Sequence, residues 1–379
     1  MKIGVVVGEI SGDALAAPLI HVLKSISSKP IEVVGIGGPQ LIEAGCRSLF
    51  PFERLNVMGL FQPLKRLPEL YRIRQELIRY FREDPPDVFI GVDAPDFNLG
   101  LERRLKAFSI PTVHYVSPTV WAWRKNRIHK IKQSVDLMLT LFPFETKIYD
   151  EHHIPVCFAG HPYADEIPLE IDSAAAKKKL HYQARDTVIA LLPGTRTADL
   201  HYHAKTFIET AGLCAKTRPD LKFIIPVVNQ ATAELVQELI QKFGKMLSIQ
   251  VVVGKTRLAI AASDAVLVKS GTATLEVMLH KKPMVVAYLM NSITHSIARF
   301  LVDIPHIALP NILAGQLLVP EFIQNQATPQ NLSQALLAQL ESHSHSEALM
   351  QSFDKLHQQL KQNASHSAAK AVLGLIENL

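Results

Sequence analysis

The stretch VLVKSGTATLEVMLHKKPMVVAY, residues 266–288, decides the fold. A short apolar run, Ala265–Val268, opens it, and a second, Met284–Tyr288, closes it. Between the two stand a turn of small residues, a segment long enough for about two to three helical turns, and a Lys-Lys-Pro stop. Short apolar runs bounded by Gly and Pro favour strands of a parallel sheet that is covered on both faces. The stretch therefore predicts a strand–helix–strand unit of an α/β protein.

The turn in this stretch, Ser270-Gly271-Thr272, stands where the predicted helix begins. Free backbone N–H groups and hydroxyls at a helix N-terminus bind phosphate, because the helix dipole favours negative charge there. Glu276 follows closely enough to accept hydrogen bonds from a ribose diol. Together these residues indicate a nucleotide site. An ordinary turn whose glutamate only stabilises its helix explains the same residues, and this stretch alone does not separate the two.

Composition limits the classes of protein to consider. A chain of 379 residues is long for one hydrophobic core and favours two domains. With 48% hydrophobic and 20% charged residues, it is globular rather than disordered. The net charge of +5 suits anionic ligands or an anionic membrane face, but it is too small to indicate nucleic acid.

Cysteine usage and apolar segments bear on the compartment. The chain has three cysteines and no CxxC spacing, which favours a reduced, cytosolic protein. The apolar run Ile3–Val7 is too short for a signal peptide. No segment approaches the ~18–20 apolar residues that span a bilayer. We expect a soluble protein that can still meet a membrane surface.

A first α/β series fills the N-terminal part of the chain. Glycine-rich turns follow its first two strands, GEISGD at 8–13 and Gly37-Gly38-Pro39, and glycines at such junctions let a ligand approach the backbone. GEISGD lacks the GxGxxG spacing of dinucleotide-binding folds. The strands are predicted at Lys2–Val7, Ile31–Ile36, Pro86–Asp93, Pro111–Val116, Val135–Leu141 and Val156–Ala159.

The segment GVDAPDFN, residues 91–98, carries two carboxylates at the end of a predicted strand. Open parallel sheets bind ligands at the carboxyl ends of their strands, so Asp93 is a candidate general base. Capping of the following helix explains both aspartates equally simply, and for Asp96 we expect that role, with the helix beginning near Phe97. The loop after the next strand holds both tryptophans, Trp121 and Trp123, either as a ligand wall or in simple packing.

The segment Leu60–Phe81 is amphipathic and basic. Apolar residues recur three and four apart along it, with arginines and Lys65 between them, and we expect Pro68 to break it early. Such a stripe is typical of an interfacial membrane helix and equally of a helix that packs on a core. The residues expected to dock on a membrane are Leu60, Phe61, Leu64, Leu67, Ile73 and Leu77.

A second α/β series follows a polar crossing at 167–186. Its strands are predicted at Thr187–Leu192, Phe223–Val228 and Ile249–Val253, in addition to the two of the opening unit. The first strand ends in PGTR, residues 193–196, and Arg196 forms an anion site because a guanidinium fits the oxygens of a diphosphate.

The remaining segments complete the predicted architecture. Leu309–Gly315 is expected to be a loop, and residues 329–379 are expected to be helical, the last helix returning to the first domain. The domains are then 1–166 with about 355–379, and 167–354. No HExxH, DxD or Cys/His cluster is present, so we expect no tightly bound metal and no cofactor.

Eleven sequence words carry a resemblance to a known family: GEISGD, GIGGP, VMGL, GVDAPDFN, HYVSPTVWAWR, PFE, GHP, PGTR, SGTATLE, PMVVAY and LPNILAG. Over residues 1 to about 325 the chain resembles the lipid-A-disaccharide synthase family. The resemblance implies a GT-B fold, in which two Rossmann-like α/β domains face a cleft, and an inverting glycosyltransferase acting peripherally on the cytoplasmic face of the inner membrane of Gram-negative bacteria. The implied reaction joins UDP-2,3-diacylglucosamine to 2,3-diacylglucosamine 1-phosphate, giving the β(1→6) disaccharide 1-phosphate and UDP. The resemblance also implies that the domain 1–166 with about 355–379 binds the acceptor and faces the membrane, and that the domain 167–354 binds the UDP-sugar.

The resemblance also implies residue roles. Asp93 matches the family's essential aspartate and would take the proton of the acceptor's 6-hydroxyl. Arg196 would hold the UDP diphosphate, and Glu276 would bind the ribose. The remaining implied nucleotide residues are Ser270, Gly271, Thr272 and Asn311, and those on the acceptor side are Glu9, Ser11, Asp13, Ser117 and Trp121.

Two positions depart from the family pattern. PGTR stands where PGSR is usual, which keeps the hydroxyl, and Asp199 stands where the family usually has Glu, which shortens the reach of the carboxylate by one methylene. Because both substrates carry acyl chains, the resemblance favours membrane docking of Leu60–Phe81, although the same apolar strip would also serve a homodimer.

Other functions remain as alternatives. Another GT-B UDP-sugar transferase or a UDP-sugar epimerase would share the UDP half of the site, but the words GVDAPDFN and HYVSPTVWAWR argue against both. A Rossmann dehydrogenase would need a GxGxxG turn followed by a ribose-binding acid. A lipid-binding protein without catalytic activity would not need Asp93, Arg196 and Glu276 together.

Overall fold

The computed structural model describes residues 1–55, 62–123, 125–291, 304–341 and 343–377, without the side chains of 62–65 and 343–346. By contacts the chain divides into two units, 1–165 with 360–379, and 166–359. Each unit is an α/β domain built on its own parallel sheet. The predicted fold class, two Rossmann-like α/β domains, is confirmed.

The N-terminal unit is built on a seven-stranded sheet in the order β3-β2-β1-β4-β5-β6-β7, with every neighbouring pair parallel. Side chains of β1 alternate between two cores: Val5 and Val7 pack with α1, and Val6 packs on the opposite face. Burial of both faces explains why the strands read as uninterrupted apolar runs. The strands are β1 Lys2–Val7, β2 Glu32–Ile36, β3 Cys46–Ser48, β4 Val88–Val92, β5 Thr112–Tyr115, β6 Leu137–Thr140 and β7 Val156–Phe158.

Helices cover both faces of this sheet. The returning C-terminal helix packs against α1, and its start is fixed by Asp165, whose carboxylate accepts hydrogen bonds from the N–H groups of Asn363 and Ala364 at 2.9 and 2.6 Å. The helices are α1 Ile10–Ile26, α2 Pro39–Glu43, α3 Gln62–Glu83, α4 Pro95–Lys106, α5 Arg127–Lys132, α6 Thr146–Glu151, α7 Pro162–Glu166 and, from the end of the chain, α16 Ala364–Glu377.

The C-terminal unit has a six-stranded parallel sheet in the order β10-β9-β8-β11-β12-β13. Leu191, Leu267 and Val285 from its three central strands share one core with Phe207 and Leu332. Its strands are β8 Val188–Leu192, β9 Lys222–Val227, β10 Ile249–Val253, β11 Ala265–Lys269, β12 Met284–Tyr288 and β13 Glu321–Ile323. Its helices are α8 Ser173–Lys179, α9 Thr197–Thr217, α10 Gln230–Phe243, α11 Thr256–Ala262, α12 Thr272–Leu279, α13 Leu309–Ala314, α14 Pro329–Glu341 and α15 His343–Leu360.

Helix α3 corrects two predictions. Pro68 lies inside it rather than breaking it. Ile73 and Leu77 are 2% and 0% exposed and pack in the core with Phe81, so neither can dock on a membrane. Leu67 is 52% exposed, whereas Leu60 and Phe61 lie outside the described residues, as does the side chain of Leu64. The stripe is therefore a core-packing face over its second half.

Two further predictions were wrong. The segment expected to be a loop forms α13, because Pro310 suits a first helical turn and Gly315, at φ 66°, suits a C-terminal cap. Asp96 does not cap α4, which begins after Ala94, and instead forms an ion pair with Arg127 at 2.6 Å. The edge strands β3 and β13 were not predicted. No helix in the described part of the chain is long and apolar enough to cross a bilayer.

Candidate active site

Two turns stand side by side at the carboxyl edge of the C-terminal sheet. Strands β8 and β11 are parallel neighbours, with Leu192 opposite Val268. The turn Pro193–Arg196 leaves the first strand, and the turn Ser270–Thr272 leaves the second. Helices α9 and α12 begin in these turns, so the N-termini of both helices lie at the same edge, where anions bind.

In the turn after β11, Gly271 has a φ of 151°, which L side chains rarely adopt. A side chain there would meet open space, so the glycine serves backbone conformation and not packing. Thr272 is exposed and begins α12, whose first N–H groups have no acceptor within the helix. The Ser270 hydroxyl donates to the Ile307 carbonyl at 2.8 Å, so its proton is not free for a phosphate as predicted.

The turn after β8 exposes Arg196, which stands at the N-cap position of α9. Within the described ranges its guanidinium has neither a hydrogen-bond acceptor nor an ion-pair partner, and it is available to an anion. Gly194 has a φ of 121°, and a Cβ on it would stand 2.4 Å from Cβ of Asp199. The turn therefore requires glycine for both its backbone and its close approach to α9.

An ion pair joins the two turns. Oδ1 of Asp199, in the first turn of α9, lies 3.1 Å from Nζ of Lys269, the last residue of β11. Both side chains are about one-fifth exposed, at 21% and 22%. Nζ of Lys269 also lies 5.7 Å from the centre of the Tyr288 ring. Sequence reasoning missed Lys269, although it directly precedes Ser270 at a strand end, where ligand residues collect.

The buried His203 fixes the start of α9 to the sheet. Its Nδ1 lies 2.9 Å from the Asp199 carbonyl, and its Nε2 accepts the Leu289 N–H at 2.9 Å. Accepting that proton requires a neutral ring with the hydrogen on Nδ1, which donates to the carbonyl. Burial lowers the pKa of His203, which favours the same state.

The predicted ribose ligand, Glu276, lies in the second turn of α12 and is mostly buried. Its Oε2 accepts a hydrogen bond from Nε of Arg257 at 3.3 Å, and Arg257 donates from Nη1 to Oε2 of Glu166 at 2.7 Å. Burial raises the pKa of Glu276, and Arg257 opposes this by stabilising the carboxylate. Arg257 was not recognised from the sequence, because it comes from a helix with no ligand-binding word.

Asn311 is not placed to line a pocket as predicted. It is fully buried, and its Nδ2 donates to the Val319 carbonyl at 2.9 Å and to Glu321 at 2.7 Å. Its Oδ1 accepts the N–H groups of Leu318 and Val319 at 2.8 and 2.9 Å. The side chain thus fastens the start of α13 to the segment before β13.

In the N-terminal unit, Asp93 follows β4 in a strained turn. Asp93 and Ala94 have φ values of 53° and 45°, which are uncommon for residues with a side chain. Asn98 holds the turn by donating to the Asp93 carbonyl at 2.8 Å. Gly8 makes room for it, because a Cβ there would stand 2.3 Å from that of Ala94. The half-buried Asp93 carboxylate has no hydrogen-bond partner among the described residues and is free to act on a substrate.

A buried acid–histidine pair lies below this turn. Nδ1 of His114 is 2.7 Å from Oε1 of Glu102, and both side chains are inaccessible to solvent. Burial raises the pKa of Glu102. A Cβ on Gly91 would stand 2.1 Å from the same Oε1, so the glycine is needed to seat the acid. The pair therefore gives a structural role to Gly91, in the word GVDAPDFN, and to His114, in the word HYVSPTVWAWR.

Two residues expected on the acceptor side are turned inward. Asp13 is 1% exposed, and its carboxylate accepts the N–H groups of Gly38, Gln40 and Leu41 at 2.9, 2.9 and 3.1 Å, so it caps α2. Ser117 is buried with its hydroxyl 2.7 Å from that of Tyr149. Both side chains are engaged inside the fold, and sequence alone does not show which way a polar side chain points.

The remaining acceptor-side residues stay accessible. Glu9 and Ser11 are exposed around the start of α1, and Trp121 is partly exposed with its ring edge-to-face on Phe144 at 5.0 Å. Glu145 lies beside this pair and is 4% exposed, and burial raises its pKa to about 8. Its Oε2 accepts the Phe142 N–H at 3.1 Å. Glu145 belongs to the sequence word PFE, but its sequence pattern indicated no role.

Comparison with known proteins gives the family. The family model described as lipid-A-disaccharide synthetase matches residues 3–373. The chain belongs to that family. Lipid-A-disaccharide synthase from Pseudomonas aeruginosa strain UCBPP-PA14 is 47% identical over 377 residues, covering 100% of this chain and 98% of the relative. Membership of the lipid-A-disaccharide synthetase family makes the chain a glycosyltransferase of lipid A biosynthesis, as the resemblance predicted.

Solved structures share the fold. UDP-GlcNAc 2-epimerase from Neisseria meningitidis, bound to UDP-GlcNAc, aligns with a TM-score of 0.62 at 16% identity, covering 100% of both chains. The glycosyltransferase of kitacinnamycin aligns with a TM-score of 0.63 at 15% identity, covering 99% of this chain and 98% of the other. At such identities these neighbours support the GT-B fold of the synthetase family and leave activity to be argued from its site.

Proposed function

We propose that the chain transfers the diacylglucosaminyl group of UDP-2,3-diacylglucosamine to the 6-hydroxyl of 2,3-diacylglucosamine 1-phosphate. The products are the β(1→6)-linked disaccharide 1-phosphate and UDP. Family membership supports the reaction, and the observation that carries the mechanism is the Asp93 carboxylate, which has no hydrogen-bond partner among the described residues and lies in a strained turn at a strand end.

Inversion follows from a single displacement at the anomeric carbon. Asp93 takes the proton of the 6-hydroxyl as its oxygen attacks, and the bond from the anomeric carbon to the UDP oxygen breaks on the opposite face. The electron pair of that bond leaves with UDP, which gains one negative charge. Asn98 and the buried Glu102–His114 pair keep Asp93 in position, because they hold the turn and the helix that follows it.

The C-terminal unit binds UDP in this proposal. Arg196 pairs with the diphosphate, and the free N–H groups around Gly271 and Thr272 donate to it. Glu276, held by Arg257, accepts hydrogen bonds from the ribose diol. Ser270 and Asn311 support the site through internal hydrogen bonds instead of touching the nucleotide. This arrangement stabilises the leaving group with protein cations and dipoles, and needs no added metal.

We also propose a peripheral membrane location, on the cytoplasmic face of the inner membrane. Leu67 and Tyr71 are 52% and 57% exposed on α3, and the exposed Arg72 and Arg79 lie on the same helix. Apolar side chains flanked by cations suit an anionic lipid surface, where the acyl chains of both substrates reside.

The direct test supplies both sugars to purified protein in EDTA and follows UDP release together with the mass of the lipid product. The proton coupling at the new anomeric centre then reports its configuration. We expect a disaccharide 1-phosphate with a β linkage and one UDP per linkage. An α linkage would refute the inverting displacement, and UDP binding without any disaccharide would refute the acceptor assignment.

A further inference from the structure

A second cation stands at the proposed diphosphate site. We propose that Lys269 binds the diphosphate of the nucleotide-sugar donor together with Arg196, and that Asp199 is a positioning residue which holds the Lys269 ammonium at the edge of the sheet. This inference rests on the proposed UDP-sugar function. It deepens that function by adding a binding residue, Lys269, and by giving a role to Asp199, which follows the PGTR turn.

The topology places the ammonium where the anion is expected. Lys269 follows Val268, which pairs with Leu192, so it leaves β11 at the level where the Pro193–Arg196 turn leaves β8. Its Nζ lies 3.1 Å from Oδ1 of Asp199, in the first turn of α9. The charge is therefore held beside the N-terminus of α9 and one residue from Ser270, between the two turns assigned to the phosphates.

The chemistry of the ammonium suits a shared role. A lysine ammonium has three N–H donors, and Asp199 holds it through an ion pair at 3.1 Å, which leaves N–H donors for a ligand. Its flexible stem lets the charge follow a diphosphate, whereas Arg196 offers a planar fork. Because the leaving UDP gains negative charge as the glycosidic bond breaks, a second cation at its oxygens stabilises the transition state more than the ground state.

A purely structural role would make the pair a clasp between β11 and α9. His203 of α9 already fastens this helix to the sheet, because its Nε2 accepts the Leu289 N–H just after β12. A partly exposed ion pair of this kind adds little to stability. The ion pair therefore matters for where it places the Lys269 ammonium and not for the stability it adds.

The test measures calorimetric affinities for uridine, UMP and UDP in EDTA. For Lys269→Gln we expect UDP affinity to fall by about 10- to 100-fold while uridine affinity stays within about twofold, because only the phosphates meet the ammonium. For Asp199→Asn we expect a smaller fall in UDP affinity, about threefold, with uridine affinity unchanged, because the ammonium keeps its charge but is no longer held by a carboxylate.

A matched ion pair controls for net charge. Lys205 and Glu209 lie on the exposed surface of the same helix, 3.7 Å apart, so Lys205→Gln and Glu209→Gln repeat both charge changes away from the turns and should leave all affinities unchanged. Equal losses for uridine and UDP, or no loss for UDP, in Lys269→Gln would overturn the role of Lys269 alone. Wild-type protein that fails to bind UDP would overturn the donor assignment as well. If Lys269→Gln does not fold, Lys269→Met decides by the same comparison, and equal losses for uridine and UDP, or no loss for UDP, would again overturn the role of Lys269.

Discussion

The Nδ1 atom of His114 lies 2.7 Å from Oε1 of Glu102, and neither side chain reaches solvent. A buried pair of this kind contributes little net stability when complete, but removing one partner leaves an uncompensated polar group. Gly91, two residues before Asp93, has no side chain because Glu102 occupies that space. The pair is thus built into the strand end that presents the proposed base.

Replacement of His114 by alanine should therefore be costly. We expect His114→Ala to lower the free energy of unfolding by about 3 kcal/mol, because the Glu102 carboxyl loses its partner and a cavity forms. Urea denaturation followed by circular dichroism measures it, with exposed His201→Ala as the control. A loss below about 1 kcal/mol would show that the pair does not brace this region.

The turn after β8 depends on Gly194. We expect Gly194→Ala to weaken UDP binding by about tenfold or more, since the new Cβ would displace Asp199 and strain a backbone with φ 121°. Gly315→Ala is the matched control, because φ is 66° there and a Cβ meets open space. It should cost about 1 kcal/mol of stability and leave UDP binding intact. Equal UDP affinities for both variants would contradict the account of this turn.

Glu145 should give stability a pH dependence. Burial raises its pKa from 4.5 to about 8 in the folded protein, so folding favours its protonated form. The contribution of protonated Glu145 to the free energy of unfolding is fully present below pH 4.5. It is lost as the pH rises towards 8, by at most about 1.4 kcal/mol per pH unit. We expect Glu145→Gln to remove this decline, because an amide oxygen can still accept the Phe142 N–H.

Denaturation midpoints between pH 5 and pH 9 would measure the effect. The exposed Glu151→Gln variant should keep the wild-type decline. Parallel pH profiles for wild type and Glu145→Gln would contradict the raised pKa.

Membrane docking should depend on the exposed part of α3. The double variant Leu67→Ser, Tyr71→Ser should lose about tenfold in binding to vesicles of anionic lipid and keep its unfolding free energy, because both side chains are already exposed. Met246→Ser, at a residue 95% exposed in the other unit, provides the control. Co-sedimentation with vesicles measures both, and undiminished binding of the double variant would place the docking surface elsewhere.

Much of the fold could be predicted from the sequence, because parallel strands that are buried on both faces appear as continuous apolar runs. The structure confirms β1, β10 and β12 at their predicted bounds, Lys2–Val7, Ile249–Val253 and Met284–Tyr288. The edge strands β3 and β13 have three residues each, and CRS and EFI show no such run. Their pairing depends on neighbours far along the chain, which local patterns do not reveal.

The site was predicted less completely, for a physical reason. Sequence words mark Asp13, Ser117 and Asn311, yet Asp13 and Asn311 bond to backbone groups inside the fold and the Ser117 hydroxyl pairs with that of Tyr149. A polar residue that holds a turn and one that touches a ligand look alike in sequence. Lys269 and Arg257 escaped notice because their importance lies in partners, Asp199 and Glu276, that only the tertiary structure brings close.

The most direct measurement compares disaccharide formation by wild type, Asp93→Asn and Asp96→Asn under saturating substrates. The two variants remove the same charge three residues apart, and Asp96 is an exposed partner of Arg127. If Asp93 is the base, Asp93→Asn should lose about 10²–10⁴-fold in kcat with UDP affinity unchanged, while Asp96→Asn stays near wild type. Wild-type kcat in Asp93→Asn, or equal losses in both variants, would contradict the proposed mechanism.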